Sequence, residues 1–406
     1  MLSVAEARAR IIAAFKPLPA EQVALPEAVG RILAEDVRAR LTQPPFAASA
    51  MDGYAVRAAD VATPPARLKI VGYAPAGGVR AAALQPGEAV RIFTGAPMPA
   101  GADAIVMQEN VRKEGHQRVR LSSSVSAGEN LRPAGMDFHE GEALVAAGRR
   151  LTPRDVALAA AANHVDLPVR RRARVAVLAT GDELVAPGGA PGPAQIVACN
   201  NFAVAGIVAS CGGVTVDLGI AADRMEALEE AIGRARSARA DVLVTLGGAS
   251  VGDYDLVQKA LIGLGMELGF WRIAMRPGKP LMYGRLGAMR VLGLPGNPTS
   301  SMVCAILFLR PLLRELNGEP GAGADPSEPG RLAADMPANG PRQDYVRCAL
   351  RRGADGILAA TPAPLQDSSL VKTMARSDGL IVRPPLAEAA RAGDPCRMVV
   401  FHRLGI

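Results

Sequence analysis

From Ala173 to Asn317, short and densely apolar runs alternate with longer stretches whose apolar residues recur at helical spacing. The runs at Arg174–Ala179, Val214–Ile220, Asp241–Thr245, Glu267–Met275, Leu281–Tyr283 and Arg290–Leu294 predict strands. Helices are expected at Asn201–Ser210, Arg224–Ala238, Asp255–Gly263 and Pro298–Leu316. This alternation calls for a doubly wound, mostly parallel sheet covered on both faces. The flanking texture differs. The first 40 residues read mainly as helix, with a break near Pro17–Pro19. Leu41–Asp137 carries short alternating runs (Arg67–Val71, Ala89–Phe93, Ala104–Met107, Arg118–Leu121) divided by Gly, Pro and Asn, the pattern of a β-rich domain. Leu151–His164 predicts a helix capped by Thr152, with Pro153 in its first turn. Asn317–Gly330 reads as a linker, and Arg331–Ile406 as a small terminal β domain.

A chain of 406 residues is expected to form about two to four domains. Hydrophobic residues at 49% and charged residues at 21% make it globular rather than disordered. Aromatics at 3% argue against single-strand nucleic-acid binding by stacking. The net charge of +7 is scattered along the chain, which favours anionic ligands without marking a nucleic-acid surface. Cys199, Cys211, Cys304, Cys348 and Cys396 show no CxxC spacing, and the four histidines are isolated. That excludes the usual zinc arrangements and argues against a disulfide framework. The N-terminal amphipathic helix is no signal sequence and no run would span a bilayer, so a cytoplasmic protein without a membrane partner is expected.

The candidate chemistry lies in four loops of the second half, three of which directly follow expected buried strands. TGDEL at Thr180–Leu184 places Asp182 and Glu183 at a strand end. LGGASVGDYD at Leu246–Asp255 surrounds Ser250 with Gly247, Gly248 and Gly252, which let backbone approach a phosphate, and adds Asp253 and Asp255, oxygen donors suited to Mg²⁺. RPGKP offers Arg276 and Lys279 on a loop stiffened by Pro277 and Pro280. LPGNPTS joins Pro295 and Gly296 to a helix opened by Asn297 and Pro298, whose first-turn N–H groups form a ready anion site. Each loop singly also reads as a solvated turn or a helix cap; their occurrence in one sheet is what suggests a phosphorylated ligand held through a divalent metal. The β-rich segment adds MDGYAVR around Asp52 and TGAPMPAGADA around Thr94.

MDGYAVR, TGAPMPAGADAIV, TGDEL, GGASVGD, RPGKP and LPGNP stand here in the order and approximate spacing of the MoeA family, the molybdopterin molybdenumtransferases, which includes the E domain of gephyrin. The resemblance runs over essentially the whole chain. It implies a multidomain α/β plus β fold: an elongated helical/β linker domain from 1–40 and 138–170, a β-rich domain 41–137, a molybdopterin-binding α/β domain 171–317 and a small C-terminal β domain 318–406. It further implies homodimers that take adenylylated molybdopterin and molybdate, hydrolyse the pyrophosphate link with Mg²⁺, and release AMP and molybdenum cofactor. By the same resemblance Asp52 and Thr94 serve the cleft from the partner subunit. Glu183, Asp253 and Asp255 position metal, nucleotide or water, with Asp223 as a further acid. Gly247, Gly248, Ser250, Arg276, Lys279, Pro280, Pro295, Gly296, Asn297, Pro298 and Ser300 hold the anionic substrate, and Asp137, Arg347 and Ser368 resemble further contacts. Two departures stand out: AQI at Ala194–Ile196 where GQI is common before Asn200 and Asn201, and Arg276 where lysine is frequent. The alternatives are molybdopterin adenylyltransferase activity, since the α/β domain is shared with it, and a non-catalytic scaffold or carrier. Docking of the adenylyltransferase and of recipient molybdoenzymes is left open.

Overall fold

The strand Val242–Leu246 is buried along its whole length and lies inside a six-stranded sheet. The order is Val214–Ala221, Arg174–Thr180, Val242–Leu246, Met289–Leu294, Met282–Leu286, Glu267–Trp271. The first four strands are parallel, and the last two are joined on by antiparallel pairings, so that only Met282–Leu286 runs against the rest. This is a computed structural model, and it describes residues 1–13, 16–78, 83–248 and 256–406. The period-2 alternation of the central strands builds a core on each face. Val175, Val177, Val242 and Val244 join the helices Asn200–Ser210 and Pro298–Cys304 on one side. Ala176, Leu178 and Leu243 meet Met225–Ser237 and Leu256–Gly263 on the other. The N-terminal helix Val4–Ile12, closed by a Ser3–Glu6 capping box, buries Val4, Ala7 and Ile11 in the first of these cores.

The β-rich segment forms a second six-stranded sheet, ordered Ala104–Met107, Gly53–Val56, Glu88–Ile92, Ala66–Ala74, Arg118–Leu121, Val111–Glu114. In the C-terminal region Gln343–Arg352, Leu358–Pro362, Ser327–Leu332, Pro395–Val400 and Gly379–Arg383 pair in a closed ring, a five-stranded barrel. Closure leaves no free edge within the ring. The helix Pro153–Ala161 starts as expected, with Thr152 and Asp155 in a capping box.

Four expectations need correction. Helix in the first 40 residues ends at Ile12 apart from the single turn Leu25–Ala28. Ala20–Ala24 is instead a strand antiparallel to Asp166–Arg170, a tertiary pairing that outweighs local helix propensity. The run Glu267–Met275 divides: Glu267–Trp271 edges the α/β sheet, while Met275–Arg276 adds onto barrel strand Gln343–Arg352. The helix Pro298–Leu316 is continuous but passes through a π-helical segment at Ala305–Leu309, just before Pro311, which has no N–H to give the helix. The Asn317–Gly330 stretch is no free linker. Asn317 donates to the Cys211 carbonyl at 2.9 Å, and Glu319 pairs with Arg150 at 2.7 Å and Arg314 at 3.1 Å.

Candidate active-site cleft

The carboxyl ends of the four parallel strands open into a cleft of about 890 Å³. Loop-to-loop hydrogen bonds fix its walls. Gly247 N–H donates to the Leu294 carbonyl at 3.1 Å, so the loops after Val242–Leu246 and Met289–Leu294 are locked side by side. Asn200 Nδ2 donates to the Gly296 carbonyl at 2.7 Å, and Asp223 N–H to Asp182 Oδ1 at 3.1 Å. Two glycines are dictated by space as well as by dihedral angle. Gly247 has φ +103° and a Cβ there would sit 2.7 Å from the Thr180 carbonyl oxygen; Gly248 has φ +62° and a Cβ would overlap Val257.

Of the expected residues, Glu183, Asp223, Gly247, Gly248, Pro280, Pro295, Gly296, Asn297 and Pro298 line this cleft. Ser250, Asp253 and Asp255 lie outside the described residues. Asp182, Glu183 and Asp223 crowd their charge: burial, then repulsion by Asp182 and Glu183, pushes the Asp223 carboxyl above its ordinary range. Such a group is relieved by a cation, and its carboxylate oxygens are the hard ligands Mg²⁺ prefers. Among the described residues, no three His, Cys, Asp or Glu side chains gather as a metal site.

The helix start at Pro298 is closed more tightly than the sequence implies. The Ser368 carbonyl accepts from Thr299 N–H at 3.0 Å, and Asn297 Nδ2 donates to Ser368 Oγ at 2.9 Å. A strap of the C-terminal region therefore covers this first turn, Ser369 rather than Ser368 lines the cleft, and Ser300 is buried. Arg347, expected as an anion contact, is 1% exposed. Its guanidinium donates to Gln366 Oε1 at 3.1 Å, the Asp367 carbonyl at 2.8 Å and Thr299 Oγ1 at 3.3 Å, so it clamps the strap to the helix. Arg276 is ion-paired with Asp344 at the barrel edge while its side chain stays largely exposed. Lys279 is half-buried next to Pro280 and makes no ion pair among the described residues. Asp137 is exposed on its turn.

Asp52 and Thr94 form a separate pair in the N-terminal sheet. Thr94 donates to Asp52 Oδ1 through both its N–H and its hydroxyl, each at 2.8 Å, and these bonds hold the carboxyl below its ordinary range. Within one chain neither residue lines the cleft. Sequence reasoning missed Thr180 and Cys199 as cleft residues, and passed over Asn200 and Asn201 although their paired asparagines were visible after AQI. Thr180 Oγ1 and Asn201 Oδ1 are buried without a partner among the described residues, polar atoms that a ligand in the cleft would satisfy. Burial raises the Cys199 thiol, which disfavours it as a nucleophile.

A mostly parallel sheet with an acid- and glycine-lined cleft at the carboxyl ends of its strands, carrying a β sheet before it and a barrel after it, defines a multidomain protein built on a doubly wound α/β domain. Residues 2–163 match the model of the MoeA N-terminal region (domain I and II), 176–315 the probable molybdopterin binding domain, and 329–401 the MoeA C-terminal region (domain IV). The chain belongs to the MoeA family. It is 32% identical to a molybdopterin molybdenumtransferase of Haemophilus influenzae over 100% of both chains. It is 40% identical to one of Nostoc over 80% of this chain and 76% of that one. The crystal structure of a molybdopterin biosynthesis MoeA protein from Pyrococcus horikoshii superposes with a TM-score of 0.86 at 31% identity, covering 99% of each chain. Among the described residues, no helix is long and apolar enough to cross a membrane.

Proposed function

We propose that this chain is a molybdopterin molybdenumtransferase, which inserts molybdate into adenylylated molybdopterin and releases AMP. The observation that carries the reading is the cleft: the Gly247–Gly248 and Pro295–Pro298 loops line it together with the acids Glu183 and Asp223 and with Thr180 and Asn201, whose side-chain oxygens have no partner among the described residues. The glycine loops take the phosphates by close backbone approach, and Lys279, which makes no ion pair among the described residues, supplies a cation for molybdate. Glu183, with Asp253 and Asp255, would hold Mg²⁺, which when bound would neutralise charge on the phosphoanhydride. Glu183 orients the attacking water, and Asp223, whose carboxyl burial and the neighbouring acids hold above its ordinary range, keeps a proton more readily than an ordinary carboxylate.

We place the protein in the cytoplasm as a homodimer in which Asp52 and Thr94 of one protomer complete the cleft of the other. Support comes from their position away from the cleft of their own chain, and from exposed apolar side chains such as Met51, Tyr73 and Phe202 that a second protomer would cover. The deciding experiment is AMP release from adenylylated molybdopterin by purified protein, with Mg²⁺, with and without molybdate. Molybdate-dependent release that falls by at least about 100-fold in Glu183→Ala, with unfolding temperature retained, supports the reading. No release, with tight ligand binding intact, would leave the scaffold or carrier reading standing.

A further inference from the structure

Away from the main cleft, a second cavity of about 500 Å³ opens between helix Arg310–Leu316, the N-terminal helix and the start of the barrel. Its wall carries Arg8, Arg150, Arg310, Arg314 and Arg403, against the carboxylates Glu319 and Asp325. The carboxylates are already shared. Glu319 bridges Arg150 and Arg314, while Asp325 stands 4.0 Å from Arg8 and 3.6 Å from Arg397. Arg403 is paired with Glu328 at 2.6 Å. Arg310 is left over: half-buried, it makes no hydrogen bond or ion pair among the described residues. Burial, then the neighbouring charge of Arg314, disfavours its protonated form, which stays charged all the same. A desolvated guanidinium without a counter-ion is costly, and one facing a cavity of small-molecule size is arranged for an anion that arrives from outside.

We infer that this cavity is a second anion site, for a small multivalent oxyanion whose oxygens take the Arg310 fork and the terminal N–H groups of Arg314, which meets Glu319 through its Nε. The site is independent of the main cleft and of the reaction proposed for it.

Calorimetric titration of the full-length protein at low ionic strength with inorganic pyrophosphate, and separately with citrate, tests this and separates phosphoryl from carboxylate ligands. The background is Lys279→Gln, which weakens oxyanion binding in the main cleft. Saturable binding of either probe that weakens by at least about tenfold on adding Arg310→Gln supports the site. Absence of binding by both probes, or affinity unchanged by Arg310→Gln, overturns it. Because the substitution touches a half-buried helix, phenylglyoxal labelling of the unsubstituted chain gives a second measurement. Protection of Arg310 and Arg314 by the bound probe supports the site, and labelling indifferent to the probe counts against it.

Discussion

At the scale of single residues, the two acids of interest are tuned in opposite directions by what surrounds them. Asp52 accepts two hydrogen bonds from Thr94, so its charged form is favoured. A depressed carboxyl contributes stability that is present above its unfolded pKa and fades as pH falls through the folded value. Thr94→Val removes the hydroxyl and keeps the N–H, and should move the Asp52 pKa part of the way back toward 3.8, read by carbon NMR titration. No movement would mean that the hydroxyl contributes nothing. Asp223 is the reverse case: its raised pKa marks an ionised form that the fold disfavours, a cost present above the folded pKa and relieved as pH falls. Asp182→Asn keeps the oxygen that accepts from Asp223 N–H while removing a repelling charge. It should lower the Asp223 pKa and raise the unfolding temperature at neutral pH, with the gain shrinking in acid. A gain that grows in acid would contradict the repulsion argument.

At the scale of elements, the strap from Gln366 to Ser369 depends on one buried cation. Arg347 joins it to Thr299, and the Thr299 N–H is consumed by the Ser368 carbonyl. Arg347→Ala strips these acceptors of their donor inside the protein and should cost about 2–4 kcal/mol in chemical denaturation. Amide exchange at 366–370 should quicken more than in the α/β sheet; uniform quickening would indicate a global effect with no local clamp. The loop turn at Gly248 is equally sensitive. Gly248→Ala meets both an unfavourable φ and Val257, and should destabilise by about 1–3 kcal/mol, whereas an exposed glycine such as Gly141, with no atom in the way, should be affected by its dihedral alone.

At the scale of the whole molecule, the separation of Asp52 from Glu183 makes a complementation test decisive for the dimer. Asp52→Ala and Glu183→Ala chains, each inactive, should regain about a quarter of wild-type turnover when refolded together in equal amounts, because half of the dimers are mixed and each mixed dimer has one intact cleft of two. No recovery would place both acids in the cleft of one chain. Much of this architecture was legible along the chain. The parallel strands Arg174–Thr180, Val242–Leu246 and Met289–Leu294 declared themselves because a strand buried on both faces must be apolar throughout, and Thr152–Pro153 fixed a helix start through local capping chemistry. The loops TGDEL and LPGNP and the Gly247–Gly248 turn were legible for the same reason, since each follows such a strand. What depended on partners distant in sequence was decided only by the tertiary structure. Ala20–Ala24 becomes a strand by pairing with Asp166–Arg170, and Arg276 leaves its sheet to join the barrel. Arg347 turns inward to hold a strap, and Arg310, where helix, barrel and N-terminal segment meet, makes no ion pair among the described residues. A side chain's charge is written in the sequence, but whether it is neutralised, buried or open to a ligand depends on which remote segments fold against it.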